Sequence, residues 1–426
     1  MRPYTDSRLP TPDSRLPIPR SLFPVPCSPI PNSLMSQRPI YMDGHATTPV
    51  DPRVVEAMLP FFTEHFGNPS SITHAYGWEA EAAVKKSRQI IAEAIHCSPD
   101  EVIFTSGATE ANNLAIKGVA ESYFQQGRHI ITLATEHRAV LDPYDYLASL
   151  GFEVTKLPVQ SDGLVDLEVL SQAIRPDTIL VSVMAANNEI GVLQPLAEIG
   201  AMCHEKGVLF HTDAAQAIAK IPLDVEAMQI DLMSITAHKV YGPKGIGALY
   251  VRRRNPRVKL AAQIHGGGQE RDLRSGTLYT PQIVGLGKAI ELGLSEASEG
   301  ERLGEMRDRL WSQLQTLDGV ILNGHPTQRL PGNLNISIEG VDGNALLLGL
   351  QSIVALSSGS ACSSTHIAPS HVLTALGRPE PLAYASLRFG LGRFNTPAEI
   401  EQVAPAIIST VQALRQANPK TKPSRR

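Results

Sequence analysis

Lys239 closes the run Ser234-Ile235-Thr236-Ala237-His238-Lys239, and Asp213 stands upstream in His211-Thr212-Asp213-Ala214-Ala215-Gln216. Each run ends a predicted strand, an apolar stretch that stops at small and polar residues. A lysine amine able to form a Schiff base, paired with a carboxylate held against a pyridinium nitrogen, is what pyridoxal phosphate chemistry asks of a protein. Gln216, three residues past Asp213, can reach the phenolic oxygen of such a ring, and Thr236 and His238 beside Lys239 can donate to its phosphate. Taken singly, each has a plainer explanation: Asp213 as a helix cap, Lys239 as a surface charge, His238 as a packed core histidine. Lys244, in Tyr241-Gly242-Pro243-Lys244-Gly245, competes with Lys239, but its glycine and proline neighbours mark a turn. Joint occurrence in this order favours the cofactor.

Thr105-Ser106-Gly107-Ala108-Thr109-Glu110 follows a predicted strand and opens a helical run, which aims backbone N–H groups and the Thr109 hydroxyl at an anion. On its own the segment reads equally as an ordinary helix cap. The elements around it give it a place. Short β-rich runs at 101–105, 129–133, 153–157, 179–184, 208–212, 231–236 and 246–251 alternate with helical stretches. That is the pattern of a mainly parallel sheet covered on both faces. Ligands of such sheets bind where the strands end. Gly107 to Thr109, Glu136-His137, Asn187-Asn188, Asp213 and His238-Lys239 all fall at those ends.

A helical stretch is predicted over 281–317, with a charged, solvated middle that bridges two domains, followed by strand-like runs at 333–338 and 386–389. The expected organisation is a large domain over 39–297, whose first residues are free to pack with the small domain, and a smaller α+β domain over 298–416. A proline-dense, disordered extension over 1–38 precedes them, with Met35 as an alternative start, and a frayed basic tail over 417–426 follows. Hydrophobic residues at 42%, charged residues at 19% and a formal net charge of -4 fit a soluble globular protein and argue against nucleic acid as a partner. No apolar run approaches the roughly 20 residues of a membrane helix. Cys27, Cys97, Cys203 and Cys362 form no CxxC pair, which speaks against a disulfide scaffold and for a reducing compartment, taken as the cytoplasm. No G-x-G-x-x-G follows an early strand, which argues against a nicotinamide dehydrogenase.

Eight segments together resemble the cysteine desulfurases: Tyr41 to Pro49, Phe66 to Ser70, Thr105 to Glu110, Thr135-Glu136-His137, Asn187 to Gly191, Ala237-His238-Lys239, Arg274 to Thr277 and Ser357 to Cys362. The likeness runs from about Pro39 to Thr396, in one order, unlike a chance short motif. It implies fold type I of the pyridoxal-phosphate-dependent transferases in the class V aminotransferase group, with a mainly parallel seven-stranded sheet in the large domain. It implies that Lys239 bears the cofactor, that His137 stacks on its ring, and that Asp213 and Gln216 hold its nitrogen and phenolic oxygen. Asn188 would lie beside ring and substrate. Ala108, Thr109, Thr236 and His238 would hold the phosphate, with Thr277 reaching in from the second subunit of a homodimer. Arg388 would take the carboxylate of L-cysteine with its two-pronged guanidinium.

Cys362 lies among small residues with little helix or strand preference, so its thiol is expected on a mobile loop. A sulfur carrier must reach the substrate and later present a persulfide elsewhere, and only a thiolate is nucleophilic enough to collect the sulfur. The family likeness implies conversion of L-cysteine to L-alanine, with sulfur passing through Cys362 to acceptors or an iron–sulfur scaffold protein. No metal takes part in that catalytic step, Cys362 being at most a transient iron–sulfur ligand. Cys97 and Cys203, in helical and partly apolar runs, read as buried structural thiols. The loop resembles the longer-loop, iron–sulfur-assembly subgroup, whereas the short basic tail lacks the extension with which some members dock a scaffold. Gly44-His45 varies within the first motif and suggests no role.

Overall fold

The computed structural model describes residues 38–296, 298–358 and 369–417. Residues 1–37 of the expected extension, residues 418–426 of the expected tail, and Cys362 lie outside the described residues. From Pro39 onward the chain forms one compact unit.

Its strands, in chain order, are β1 (Ile40–Tyr41), β2 (Val102–Thr105), β3 (His129–Leu133), β4 (Glu153–Leu157), β5 (Thr178–Ser182), β6 (Leu209–Asp213), β7 (Leu232–Thr236), β8 (Gly247–Val251), β9 (Val320–Leu322), β10 (Asn333–Ile338), β11 (Val354–Ala355) and β12 (Ser386–Gly390). Seven of them make the main sheet, in the order β2-β8-β7-β6-β5-β3-β4. All neighbours are parallel except β8, which runs antiparallel between β2 and β7. The sheet expected from the sequence is present, with strand ends shifted by one or two residues.

Continuous apolar runs suit strands buried on both faces, and β2, β3, β5, β6, β7 and β8 are buried along their full length. The pleat sends alternate side chains to opposite cores. Val102 and Phe104 join one core with Ile131, Val181, Phe210 and Met233. Ile103 joins the other with Ile130, Leu180, Leu209 and Leu232.

The single helical stretch expected over 281–317 is two helices, Thr280–Ser295 and Glu299–Leu314. They serve different cores. Ile283, Leu286 and Ile290 of the first pack with the main sheet, whereas Met306, Leu310 and Leu314 of the second pack with β10 and β12. One straight helix cannot turn its apolar side to both. At the break, Glu296 pairs with Arg53 at 2.7 Å and Arg393 at 3.1 Å.

The second core covers an antiparallel sheet in the order β12-β10-β9, and β1 pairs in parallel with β11 beside it. Met42 and Ile40 therefore pack with residues more than three hundred positions later. Two glycines permit this approach. Gly44 N donates to the Gly390 carbonyl at 2.9 Å and Gly390 N to the Met42 carbonyl at 2.7 Å. A Cβ on Gly390 would lie 2.6 Å from His45 N, inside contact distance. Among the described residues no helix is long and apolar enough to cross a membrane.

Candidate active site

The parallel strands bring their carboxyl ends to one edge, and a cavity of about 500 Å³ opens there. Lys239 lines it from the turn after β7, and Asp213 from the end of the neighbouring β6, where it is in register with Ser234. The Ala108–Tyr123 helix opens toward it directly after β2. Gly107, with φ of 149°, makes the tight entry to this helix in a region of backbone space that favours glycine. The first intrahelical hydrogen bond runs from Ala111 N to the Gly107 carbonyl, so the amides of Ala108, Thr109 and Glu110 precede the helical ladder. Glu110 accepts from Ser106 N at 2.9 Å and pairs with Arg274 at 2.8 Å, which ties the Arg274-to-Thr277 segment to this helix end. Thr277 itself is exposed and does not line the cavity of its own chain.

Asp213 is buried, and its carboxylate accepts from Asn112 Nδ2 at 2.7 Å and from Ala215 N at 2.9 Å. Those two bonds fix the carboxylate plane and leave lone pairs for one further donor. The sequence offered no signal for Asn112: it sits inside a helix, 101 residues from Asp213. Gln216 lines the same cavity and is bonded to His45. Lys244, exposed in its glycine-flanked turn as expected, also reaches the cavity rim.

His137 caps the Arg138–Ser149 helix, its Nδ1 accepting from Ala139 N at 3.0 Å. That hydrogen bond places the ring proton of neutral His137 on Nε2, making this nitrogen a donor. Burial, then the neighbouring Lys239, holds the imidazole below its ordinary pKa. His238 is also held neutral, at about 4, by burial and the nearby Lys239, and its Nδ1 lies 3.1 Å from Thr47 Oγ1. Thr48 clamps the same turn: its N and Oγ1 both donate to the His238 carbonyl, and its Oγ1 accepts from Tyr241 N at 2.8 Å. Thr47 and Thr48 thus position the lysine turn, a function that motif matching alone did not disclose.

Asn188 lines the cavity, and its buried Oδ1 has no partner among the described residues. Arg388, buried on β12, donates to the Asn188 carbonyl at 3.1 Å and pairs with Asp43 at 2.9 Å. It stands behind Asn188 and does not line the cavity. Asp43 in turn accepts from Ser357 Oγ at 2.8 Å, near the start of the segment that carries Cys362. Of the other cysteines, Cys203 is buried in a helix as expected, whereas Cys97, expected to be buried, is only half-buried and lies just past the Ala75–Ala94 helix, which ends one turn earlier than its apolar run. Burial pushes both thiols up to about 12, so neither is a nucleophile at neutral pH.

Glu189 closes the Asn187 turn, its carboxylate accepting from Ser370 Oγ on the far side of the 359–368 segment. Burial raises its pKa to about 7 from 4.5. Below pH 4.5 the folded and unfolded chains both hold this proton, and the contribution to stability is fully present. As pH rises toward 7 the unfolded chain ionises first, and on the order of 3 kcal/mol is lost. Urea midpoints measured from pH 4.5 to 7 are therefore expected to fall more steeply in the parent than in Glu189→Gln; parallel curves would contradict it.

The aminotransferase class-V family matches residues 40–403. A cysteine desulfurase of Mus musculus is 54% identical over 384 residues, covering 90% of this chain and 83% of the mouse protein. Cysteine desulfurase IscS of Methylococcus capsulatus is 54% identical over 382 residues, covering 89% and 94%. Among solved structures, a NifS-like protein superposes with a TM-score of 0.82 at 38% identity, covering 88% of this chain and 100% of its own. SspA in complex with cysteine superposes at 0.75 with 40% identity, covering 84% and 100%.

Proposed function

Since this chain belongs to the aminotransferase class-V family and, within it, to the cysteine desulfurases, we propose that it takes sulfur from L-cysteine, releases L-alanine and carries the sulfur as a persulfide on Cys362. The acceptors are those of iron–sulfur cluster assembly and other sulfur-containing products. The observation that carries the proposal is the convergence of Lys239, Asp213 and the first turn of the Ala108–Tyr123 helix on one cavity.

These residues fit pyridoxal 5'-phosphate. Asp213 retains an acceptor site suited to a pyridinium N–H, the amides of Ala108 and Thr109 with Thr236 and His238 suit a phosphate, and Asn188 presents an orphaned buried oxygen. His137 would stack on the ring and Gln216 would hold its phenolic oxygen. When bound, the cofactor supplies an electron sink for the pair left on the substrate α-carbon.

The chain's own groups do the rest. Lys239 would anchor the cofactor, take the α-proton from the substrate and return a proton to the same carbon before alanine leaves. His137, with its proton on Nε2, donates one. The Cys362 thiolate attacks the substrate sulfur; the S–S bond forms as the carbon–sulfur bond breaks, and the carbon that keeps the electron pair is protonated to become the methyl group of alanine. Arg388, next to Asn188, binds the substrate carboxylate after exchanging contacts with Asp43. In a homodimer, Thr277 of each subunit serves the phosphate of the other. A reducing compartment, which we take as the cytoplasm, keeps the thiol available between turnovers.

Incubation with L-cysteine, followed by mass spectrometry of the Cys362 peptide and an alanine assay, tests the proposal. A mass gain of one sulfur on Cys362 and release of alanine are expected. Cys362→Ala should retain cofactor binding and lose persulfide transfer; undiminished transfer by this variant would sink the assignment.

A further inference from the structure

His45 is buried, 5% exposed, and meets Gln216 twice although 171 residues separate them. Gln216 Nε2 donates to the His45 backbone carbonyl at 2.8 Å, and Gln216 Oε1 lies 3.1 Å from His45 Nδ1. A backbone carbonyl only accepts, so the Gln216 nitrogen must face it. The amide oxygen then faces the imidazole and also only accepts, so the ring proton sits on Nδ1. The carbonyl thus holds the nitrogen end of the amide and the ring N–H holds its oxygen end. Two consequences remain. Among the described residues His45 Nε2 is left as a buried lone pair with no partner, and one N–H of Gln216 is left over on a residue that lines the cavity. Burial, with Lys220, Arg388 and Lys239 as the positive charges nearby, keeps the ring neutral and its single proton on Nδ1.

We infer that His45 is a positioning residue that locks the Gln216 amide so that its second N–H, and not its oxygen, is presented to the phenolic oxygen of the cofactor. The inference rests on the assignment of Gln216 made above. An N–H donated to the phenolate stabilises its negative charge and weakens its hold on the proton of the neighbouring lysine–cofactor nitrogen. That nitrogen then loses its proton at lower pH. Without the ring N–H, only the backbone carbonyl still holds the amide, the buried amide oxygen loses its donor, the second N–H is held less firmly on the phenolic oxygen, and the nitrogen keeps its proton to higher pH.

The test is a pH titration of the cofactor absorbance in the holoenzyme without substrate, a readout that does not depend on turnover. His45→Ala vacates the ring's space and His45→Phe fills it, and both lack the donor. Each is expected to raise the midpoint by roughly 0.5 to 1 pH unit, about half the size of one hydrogen bond to a charged group, because the second N–H is loosened and not removed. His45→Asn carries an amide nitrogen as many bonds from Cα as Nδ1, and is expected to return the midpoint close to the parent's. Gln216→Leu should raise the midpoint at least as far, and adding His45→Phe to it should add nothing. A shift in Gln216→Leu with none in either His45 variant overturns the positioning role and leaves the Gln216 assignment standing. No shift in Gln216→Leu overturns that assignment and the inference with it. A further shift from His45→Phe on top of Gln216→Leu shows that His45 acts by another route and also overturns the inference.

Discussion

Lys239→Ala is expected to lower the rate of alanine formation from L-cysteine by at least about 10³-fold, because one side chain holds the cofactor and moves the α-proton. Backbone hydrogen bonds hold the turn that carries it. Ala237 N donates to the Ile246 carbonyl at 3.1 Å, Gly242 N to the Ala237 carbonyl at 3.0 Å, and Thr48 braces the His238 carbonyl. Thermal unfolding midpoints of parent and variant without cofactor should therefore agree within a few degrees. Lys239→Arg sharpens the test. It keeps the positive charge, but a guanidinium does not give up its proton near neutral pH. The arginine variant is expected to be as inactive as the alanine variant, measured by alanine release; substantial activity in it would mean that charge, and not proton transfer, is what the site needs from residue 239.

The second large effect is expected at Asp213. Asp213→Ala should cost roughly 10²–10³-fold in turnover, the size typical of losing a preorganised charge partner. The carboxylate is set by its surroundings before any ligand arrives, through Asn112 at 2.7 Å and Ala215 N at 2.9 Å. Asn112→Ala is therefore expected to move turnover in the same direction by less, since it frees the carboxylate to rotate while keeping its charge. Steady-state alanine release, with cofactor affinity measured separately, checks both. An Asn112 effect as large as that of Asp213 would shift the essential role from the carboxylate to the asparagine. If Asp213→Ala turned over normally at saturating cofactor, its pairing with the ring nitrogen would be wrong.

Much of the scaffold was legible because its signals are local. The seven main strands are short apolar runs bounded by polar residues, and the strand ends that collect Gly107, His137, Asn188, Asp213 and Lys239 follow from a mainly parallel sheet. The break between the Thr280–Ser295 and Glu299–Leu314 helices was not legible, because helical periodicity continues through it and the cause is a choice between two cores. The antiparallel direction of β8 was hidden for a similar reason: a fully buried strand has the same apolar pattern whichever way it runs.

By itself the sequence determined the fold class, the order of the strands along the chain and the residue types assembled for cofactor chemistry, since these depend on neighbours within a turn or a strand. Only the tertiary structure decided how those residues are held. Asn112 on Asp213, Thr47 and Thr48 on the lysine turn, Asp43 on Arg388 and His45 on Gln216 are pairs from 101 to 345 residues apart. Each forms because helices, strands and loops distant in the chain pack against one another, and hydrogen-bond geometry there depends on where the backbones meet, which no local pattern encodes.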